Sequence, residues 1–309
     1  MRKLNMQIKL KKTVLRSPLV LLSGTVSPQI LRFVRPEAVG LVVLKTITLN
    51  SKAPNREPRM WDLGFGVLNS IGLFNPGARN FFEKEIEEYL EFDYDYGLSL
   101  AGFSDEEFEE LIELTAQLAR GIERIRAFEL NFSCPNVKEG GIAFASQSEK
   151  IERITGFAAE RFDGEIWVKV SPAYPVEKQI EAGLKGGATG FVVANTMPAV
   201  EVVETGSFVP GAGSGGLSGR ALFPINLLNV KKASGLNGLI IASGGVEEFT
   251  QVKKYLIAGA TLVGLGTVLF RFPDMPNRIY DEMMADIRKN KAQNYDDYLE
   301  ILRGERNEG

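Results

Sequence analysis

Eight short apolar runs recur along the chain, separated by loops and helix-period stretches, and this alternation limits the fold more than any other feature. The runs predict strands at Leu19–Ser23, Gly40–Lys45, Tyr96–Ala101, Phe128–Ser133, Ile166–Ser171, Gly190–Asn195, Leu239–Ser243 and Leu262–Gly266. Their hydrophobicity is continuous rather than alternating, which suits strands covered on both faces, as in a parallel sheet. Helices are expected over Ala78–Glu91, Asp105–Arg126, Gln147–Arg161, Val176–Lys185, Arg220–Ala233 and Glu247–Ile257. Ser104 before Asp105-Glu106-Glu107 reads as a helix start, with acidic residues at the positive end of the dipole. Glycines in Lys185-Gly186-Gly187-Ala188 and Ala258-Gly259-Ala260 read as helix ends.

Eight strands with intervening helices predict the α/β class and a (β/α)8 TIM barrel. A doubly wound open sheet would usually carry a glycine-rich phosphate turn after its first strand, and Ser23-Gly24-Thr25-Val26 is no such turn. The alternating segment Met6–Leu15 predicts a short N-terminal β-hairpin at the barrel bottom, and Gln293–Gly309 reads as a polar, partly helical tail. No linker or low-complexity tract divides residues 1–309, so one domain is expected.

Composition narrows the function classes. Apolar residues make up 44%, charged residues 24%, and the net charge is -3, values ordinary for a soluble globular protein. Neither nucleic acid nor a membrane surface is the expected partner. The longest apolar stretches, such as Val39–Leu44, fall far short of the ~20 residues of a spanning helix. The first ten residues alternate polar and apolar types, unlike a signal peptide. The chain has one cysteine, Cys134, and no histidine. An internal disulfide, an iron–sulfur cluster and a soft-metal site are therefore all out of reach, and a cytoplasmic location is the simplest expectation. No dinucleotide fingerprint is present.

Reacting groups of such barrels gather at the C-terminal ends of the strands. Those ends hold Ser23-Gly24, Lys45-Thr46, Ser99 to Gly102, Asn131 to Asn136, Lys169 to Ser171, Asn195-Thr196, Ser243-Gly244-Gly245 and Gly266-Thr267. Glycine turns after strands seven and eight are where these barrels commonly hold phosphate, because backbone N–H groups approach the anion closely. Lys45 and Lys169 each end an apolar run. They read either as snorkelling lysines or as cations aimed at developing negative charge on a bound ring or phosphate. A Schiff-base role would leave the asparagines unexplained. Cys134 reads either as a small buried hydrophobe or as a base, since a thiol with pKa near 8.5 is usable close to neutral pH.

At these residues the chain resembles the dihydroorotate dehydrogenases, from about Ser17 to Phe270. The resemblance is carried by Lys45-Thr46, Asn69-Ser70-Ile71-Gly72-Leu73, Asn75-Pro76-Gly77 and the segment Asn131–Gly141. Asn195-Thr196, Gly215 to Gly219, Gly244-Gly245 and Gly266-Thr267 complete it. A cysteine at position 134 resembles the soluble class 1 enzymes, and Val137-Lys138-Glu139-Gly140-Gly141 is most similar to the class 1B catalytic subunit.

The resemblance implies oxidation of dihydroorotate to orotate in pyrimidine biosynthesis, with FMN as cofactor. It implies a homodimer and a partner subunit carrying FAD and a 2Fe-2S cluster that passes electrons to NAD+. Cys134 would be the base, with Lys45 beside flavin and substrate. Substrate contacts would come from Lys45, Asn69, Ser70, Ile71, Gly72, Leu73, Asn131, Asn136, Asn195 and Thr196, whose amides supply both donors and acceptors. FMN contacts would come from Ser23, Lys45, Thr46, Ser99, Asn131, Lys169, Ala194, Gly219, Gly244, Gly245, Gly266 and Thr267. Two positions depart from the family pattern: Ser99 replaces a usual asparagine, and Met197-Pro198-Ala199 replaces a glycine-containing turn. A flavin enzyme acting on another reduced pyrimidine, or a non-redox FMN- or phosphate-binding barrel, remains the alternative.

Overall fold

In the computed structural model, which describes residues 6–132 and 144–305, all eight apolar runs form strands. They span Leu19–Leu21, Leu41–Ile47, Tyr96–Leu100, Ile125–Asn131, Glu165–Lys169, Gly190–Val193, Leu239–Ala242 and Leu262–Leu265. Each pairs in parallel with the next, and the eighth pairs back onto the first through Val263 and Leu19, closing the barrel. Continuous hydrophobicity follows from this closure. One face of each strand fills the interior and the other meets a helix, so nearly every strand residue is buried.

The register fixes which polar side chains enter the interior. Ser99, Glu129 and Trp167 lie side by side on strands three, four and five, and Asn131 and Lys169 form a row two residues further on. Side chains two apart share a face, so these rows are successive layers of the barrel, rising toward its C-terminal mouth.

The N-terminal hairpin is present as Ile8–Lys9 paired with Val14–Leu15. Glu165, at the opposite end of strand five from Lys169, accepts hydrogen bonds from the backbone N–H groups of Lys12 (2.5 Å) and Thr13 (3.0 Å). A carboxylate at the barrel floor thus fastens the hairpin. Helix starts and ends also follow the local chemistry. Ser104 Oγ accepts from Glu107 N at 3.1 Å, and the helices Val176–Lys185 and Phe249–Ile257 stop ahead of Gly187 (φ +87°) and Gly259 (φ +109°).

Several elements differ from expectation. The helix from Asp105 ends at Leu118, not Arg126, because Gly121 turns the chain at φ +83° and strand four already begins at Ile125. Ala78–Glu91 divides at Glu85 into Ala78–Lys84 and Ile86–Leu90. Arg220–Leu222 is a 3-10 turn ahead of the helix Phe223–Ala233. A helix over Met275–Lys289 adds to those expected. The tail is no polar appendage: in the helix Tyr295–Arg303, Tyr295, Tyr298 and Leu299 are buried. Tyr295 donates to Thr261 O at 2.7 Å and Tyr298 to Asp286 Oδ2 at 2.5 Å.

The loops after strands two and six add a four-stranded antiparallel sheet at the mouth. Its strands are Met60–Asp62, Val67–Asn69, Met197–Ala199 and Gly215–Ser218. Met197-Pro198-Ala199, which replaces a glycine-containing turn of the family pattern, forms an edge strand paired with Gly215 to Leu217.

Candidate active site at the barrel mouth

Strand two delivers two adjacent polar residues to the mouth, which a regular strand cannot do. Leu44 pairs with Leu98 and Ile47 with Leu100, so Lys45 and Thr46 together stand opposite Ser99 alone. Such a bulge re-aims side chains locally. Thr46 is buried, with its hydroxyl 2.8 Å from Ser99 Oγ. The ammonium of Lys45 lies 4.6 Å from the centre of the Phe74 ring. Burial holds Lys45 below the usual lysine range, and the nearby Glu85 opposes this.

Two polar groupings cross the mouth. In the first, Asn131 Nδ2 donates to Thr46 Oγ1 at 3.4 Å, and Asn195 Nδ2 donates to Asn131 Oδ1 at 3.3 Å. Strands two, three, four and six are thereby joined through side chains. In the second, Lys169 Nζ donates to Ser23 Oγ at 3.0 Å, and Ser23 Oγ donates to Glu129 Oε1 at 3.0 Å. Lys169 Nζ also lies 3.4 Å from Glu129 Oε1, with both side chains buried.

The Asn69–Leu73 loop is held from several sides. Asn69 Nδ2 donates to Gly216 O at 3.1 Å, and Asn55 Nδ2 donates to Ser70 Oγ at 3.0 Å. The N–H of Asn55 donates to Ile71 O at 3.2 Å. Gly72 and Leu73 both have positive φ, +77° and +55°. Leucine rarely adopts that conformation, and here buried Asn75 enforces it by donating to Leu73 O at 2.7 Å and Thr48 Oγ1 at 2.8 Å. Asn75 Oδ1 accepts from the N–H of Thr48 and of Gly77.

At strand six, Ala194 is buried and its carbonyl accepts from Ser243 Oγ, tying strands six and seven together. Asn195 Oδ1 accepts from Thr196 N at 2.8 Å. After strand seven, Gly244 and Gly245 have φ of +97° and +74°. A Cβ at Gly244 would meet Asn226 Nδ2 at 2.3 Å, and one at Gly245 would meet Phe223 Cβ at 2.7 Å. Gly219, at φ +93°, closes on Gly66. After strand eight, Thr267 opens a 3-10 turn to Phe270 directly behind Gly266. Gly266 itself needs no positive φ.

The family model described as dihydroorotate dehydrogenase matches residues 5–287. The chain belongs to the dihydroorotate dehydrogenase family. The "Dihydroorotate dehydrogenase B (NAD(+)), catalytic subunit" of Thermotoga maritima is 35% identical over 272 residues, covering 86% of this chain and 96% of that protein. Its counterpart of the same name from Anoxybacillus flavithermus is 33% identical over 260 residues, covering 82% and 81%. Among solved structures, ligand-free dihydroorotate dehydrogenase from Eimeria tenella superposes with a TM-score of 0.76 at 21% identity, covering 96% of this chain and 91% of that one. This last likeness concerns the fold alone.

Membership makes the chain an oxidoreductase of a family that generally binds FMN. Of the residues singled out from the sequence, Ser23, Thr46, Ser99, Asn131, Lys169 and Asn195 lie in the two groupings above. Cys134 and Asn136 lie outside the described residues. Sequence reasoning missed Glu129, hidden within the apolar run Ala127–Leu130, and Asn55, whose short-range role only the folded loop exposes. A signal for Glu129 did exist: a lone carboxylate inside a strand covered on both faces must meet a cation or a donor. No helix among the described residues is long and apolar enough to cross a membrane.

Proposed function

We propose that this chain oxidises dihydroorotate to orotate on a bound FMN, as the catalytic subunit of a class 1B enzyme. The observation that carries the reading is the hydrogen-bonded pair Asn131 and Asn195 at the mouth, with Lys45 against Phe74 next to the braced Asn69–Leu73 loop. A planar ring bearing imide and carboxylate groups needs neutral amides that both donate and accept, together with a cation. This constellation supplies both.

The residues present also fit FMN. Gly244 and Gly245 make a positive-φ turn of bare backbone, where a side chain would strike Asn226 or Phe223, and such a turn is suited to close approach of a phosphate. Ser23, Thr46, Ser99 and Lys169 would face the flavin, Ala194 would pack near it, and Gly219, Gly266 and Thr267 would border its phosphate and ribityl portion. FMN, when bound, supplies a two-electron acceptor for hydride.

Cys134, as thiolate, would take a proton from the carbon beside a ring carbonyl, and the adjacent carbon would give up hydride. A C=C bond forms, the cysteine gains the proton, and two electrons leave the substrate. Lys45, half-buried, would steady negative charge developing on the ring oxygen. Asn69, Asn131, Asn136 and Asn195, with Ser70 to Leu73 and Thr196, would orient the ring. Electrons would then pass to NAD+ through a partner subunit, a reading supported by the relatives' names, which give NAD(+) and a catalytic subunit; that partner would hold FAD and a 2Fe-2S cluster, and the chain would be a cytoplasmic homodimer.

Ser99 favours one second reading. Its hydroxyl is engaged by Thr46, so one amide contact of the family pattern is replaced, and a different reduced pyrimidine would be the substrate. Anaerobic mixing of the purified yellow protein with dihydroorotate decides between them. Bleaching of the visible flavin absorption supports dihydroorotate; a protein that stays oxidised supports the second reading. A protein that cannot take up added FMN overturns both.

A further inference from the structure

The pair formed by Glu129 and Lys169 calls for an explanation beyond stability. Both side chains are buried: Glu129 has no solvent exposure, and the Lys169 side chain retains 8%. Taking two opposite charges out of water is costly, and their attraction often does no more than offset that cost. A well-packed apolar pair would serve the barrel core at least as well. The geometry is nevertheless specific. Ser23 Oγ lies 3.0 Å from each partner, accepting from Lys169 and donating to Glu129, so three strands hold the ammonium in one place.

The layering gives that arrangement a direction. Glu129 lies one layer below Asn131 and Lys169, and they lie at the open end of the interior. Lys169 therefore stands between a fixed anion beneath it and whatever occupies the mouth above. The second carboxylate oxygen, Oε2, lacks a hydrogen-bond partner among the described residues. One oxygen is committed to the lysine and serine, and the other is left to act through charge.

We propose that Glu129 is a positioning residue that fixes the Lys169 ammonium under the flavin and offsets its charge, thereby setting how readily the bound flavin accepts two electrons. The inference rests on the flavin reading above. Electron uptake adds negative charge to the ring, and in a low-dielectric interior each nearby fixed charge acts strongly on that step. Lys169 favours uptake, and Glu129 holds its influence down.

The test is the two-electron reduction equilibrium of the FMN-loaded protein, measured anaerobically by dithionite titration against a dye of known potential at fixed pH. Glu129→Gln keeps the shape and removes the charge. It should shift the equilibrium toward reduced flavin by about tenfold or more, equivalent to about 30 mV for a two-electron couple. Glu129→Asp retains the charge and should stay within about threefold of wild type, an offset under half as large on the voltage scale. Lys169→Met should shift the equilibrium the opposite way, and the double variant Glu129→Gln/Lys169→Met should return close to wild type.

An unchanged potential in Glu129→Gln overturns the proposal, as does an Asp variant that shifts as far as Gln. If Glu129→Gln does not hold FMN, the comparison of Lys169→Met with the double variant decides. Restoration in the double supports the proposal, and a double that behaves like Lys169→Met overturns it. A wild-type chain that takes up no FMN overturns the flavin reading itself, an outcome distinct from loaded wild type with an unresponsive variant.

Discussion

The ammonium of Lys45 rests against the ring of Phe74, 4.6 Å from its centre, on the loop that continues from Asn69. Strand two and the loop that follows Asn69 therefore meet through a cation and an aromatic face, a contact of about 0.5–1 kcal/mol at exposed sites. The same packing desolvates the lysine.

That desolvation has a pH consequence. Burial lowers the Lys45 pKa from the usual lysine value, with Glu85 opposing. Between its folded pKa and the unfolded value of about 10.4, the unfolded chain binds more protons, so stability rises with pH across that window. Below the window the cost of a buried ammonium is fully present. Lys45→Met should therefore melt higher than wild type at pH 7 when both are free of cofactor. The advantage should shrink as pH climbs through the window, and a gap independent of pH in thermal melts would refute this.

Asn75 should be the most sensitive residue of the loop proposed to hold substrate, without itself touching the ligand. Its side chain serves Leu73 O, Thr48 Oγ1 and two backbone N–H groups from a buried position. Each buried polar group left unpaired costs about 1–3 kcal/mol. Asn75→Ala should lower the urea midpoint accordingly. It should also raise KM for dihydroorotate, because Leu73 loses the contact that holds its positive φ. An unaltered KM would show that the loop keeps its shape without Asn75.

Much of this architecture was legible in the sequence because the physics was local. Continuous apolar runs such as Val39–Leu44 mark a strand buried on both faces, and Ser104 and Gly259 mark helix ends by capping chemistry alone. Lys45, Asn131 and Lys169 stood out as polar residues where apolar runs stop. What escaped depends on partners remote in sequence. Gly215 to Ser218 has no strand propensity of its own and becomes a strand only between Met197–Ala199 and Val67–Asn69. Tyr295 and Tyr298 read as polar-tail residues until the barrel wall is in place to bury them. Glu129 needed Ser23 and Lys169, distant by 106 and 40 positions, to acquire a meaning.

The C-terminal helix should be fastened by a charge. Asp286 Oδ2 accepts from Tyr298 OH at 2.5 Å and from Lys253 Nζ at 2.9 Å. Burial alone would raise the Asp286 pKa, but the Tyr298 and Lys253 hydrogen bonds outweigh it and hold the carboxyl below the ordinary range. A depressed carboxylate pKa contributes stability that is present above the unfolded value of about 3.9 and is lost as pH falls through the folded value. Tyr298→Phe removes one hydrogen bond to a charged group, worth about 1.5–3 kcal/mol. Its acid unfolding should begin at higher pH than that of wild type. Coincident acid transitions, followed by far-UV circular dichroism, would contradict this.

Gly245 offers a separate test of the proposed phosphate turn. Its φ of +74° is one that side-chain-bearing residues rarely adopt, and an added Cβ would stand 2.7 Å from Phe223 Cβ and 2.8 Å from Phe223 N. The latter contact is with backbone at the start of the helix Phe223–Ala233, which cannot swing aside as a flexible side chain would. Gly245→Ala must therefore shift the turn after strand seven, and with it the N–H groups proposed to receive phosphate. Gly245→Ala should weaken FMN binding about tenfold or more, equivalent to about 1.4 kcal/mol. Equilibrium titration of cofactor-free wild type and variant with FMN, read by quenching of flavin fluorescence, measures the change. Equal affinities for wild type and variant would move the phosphate away from the Gly244-Gly245 turn.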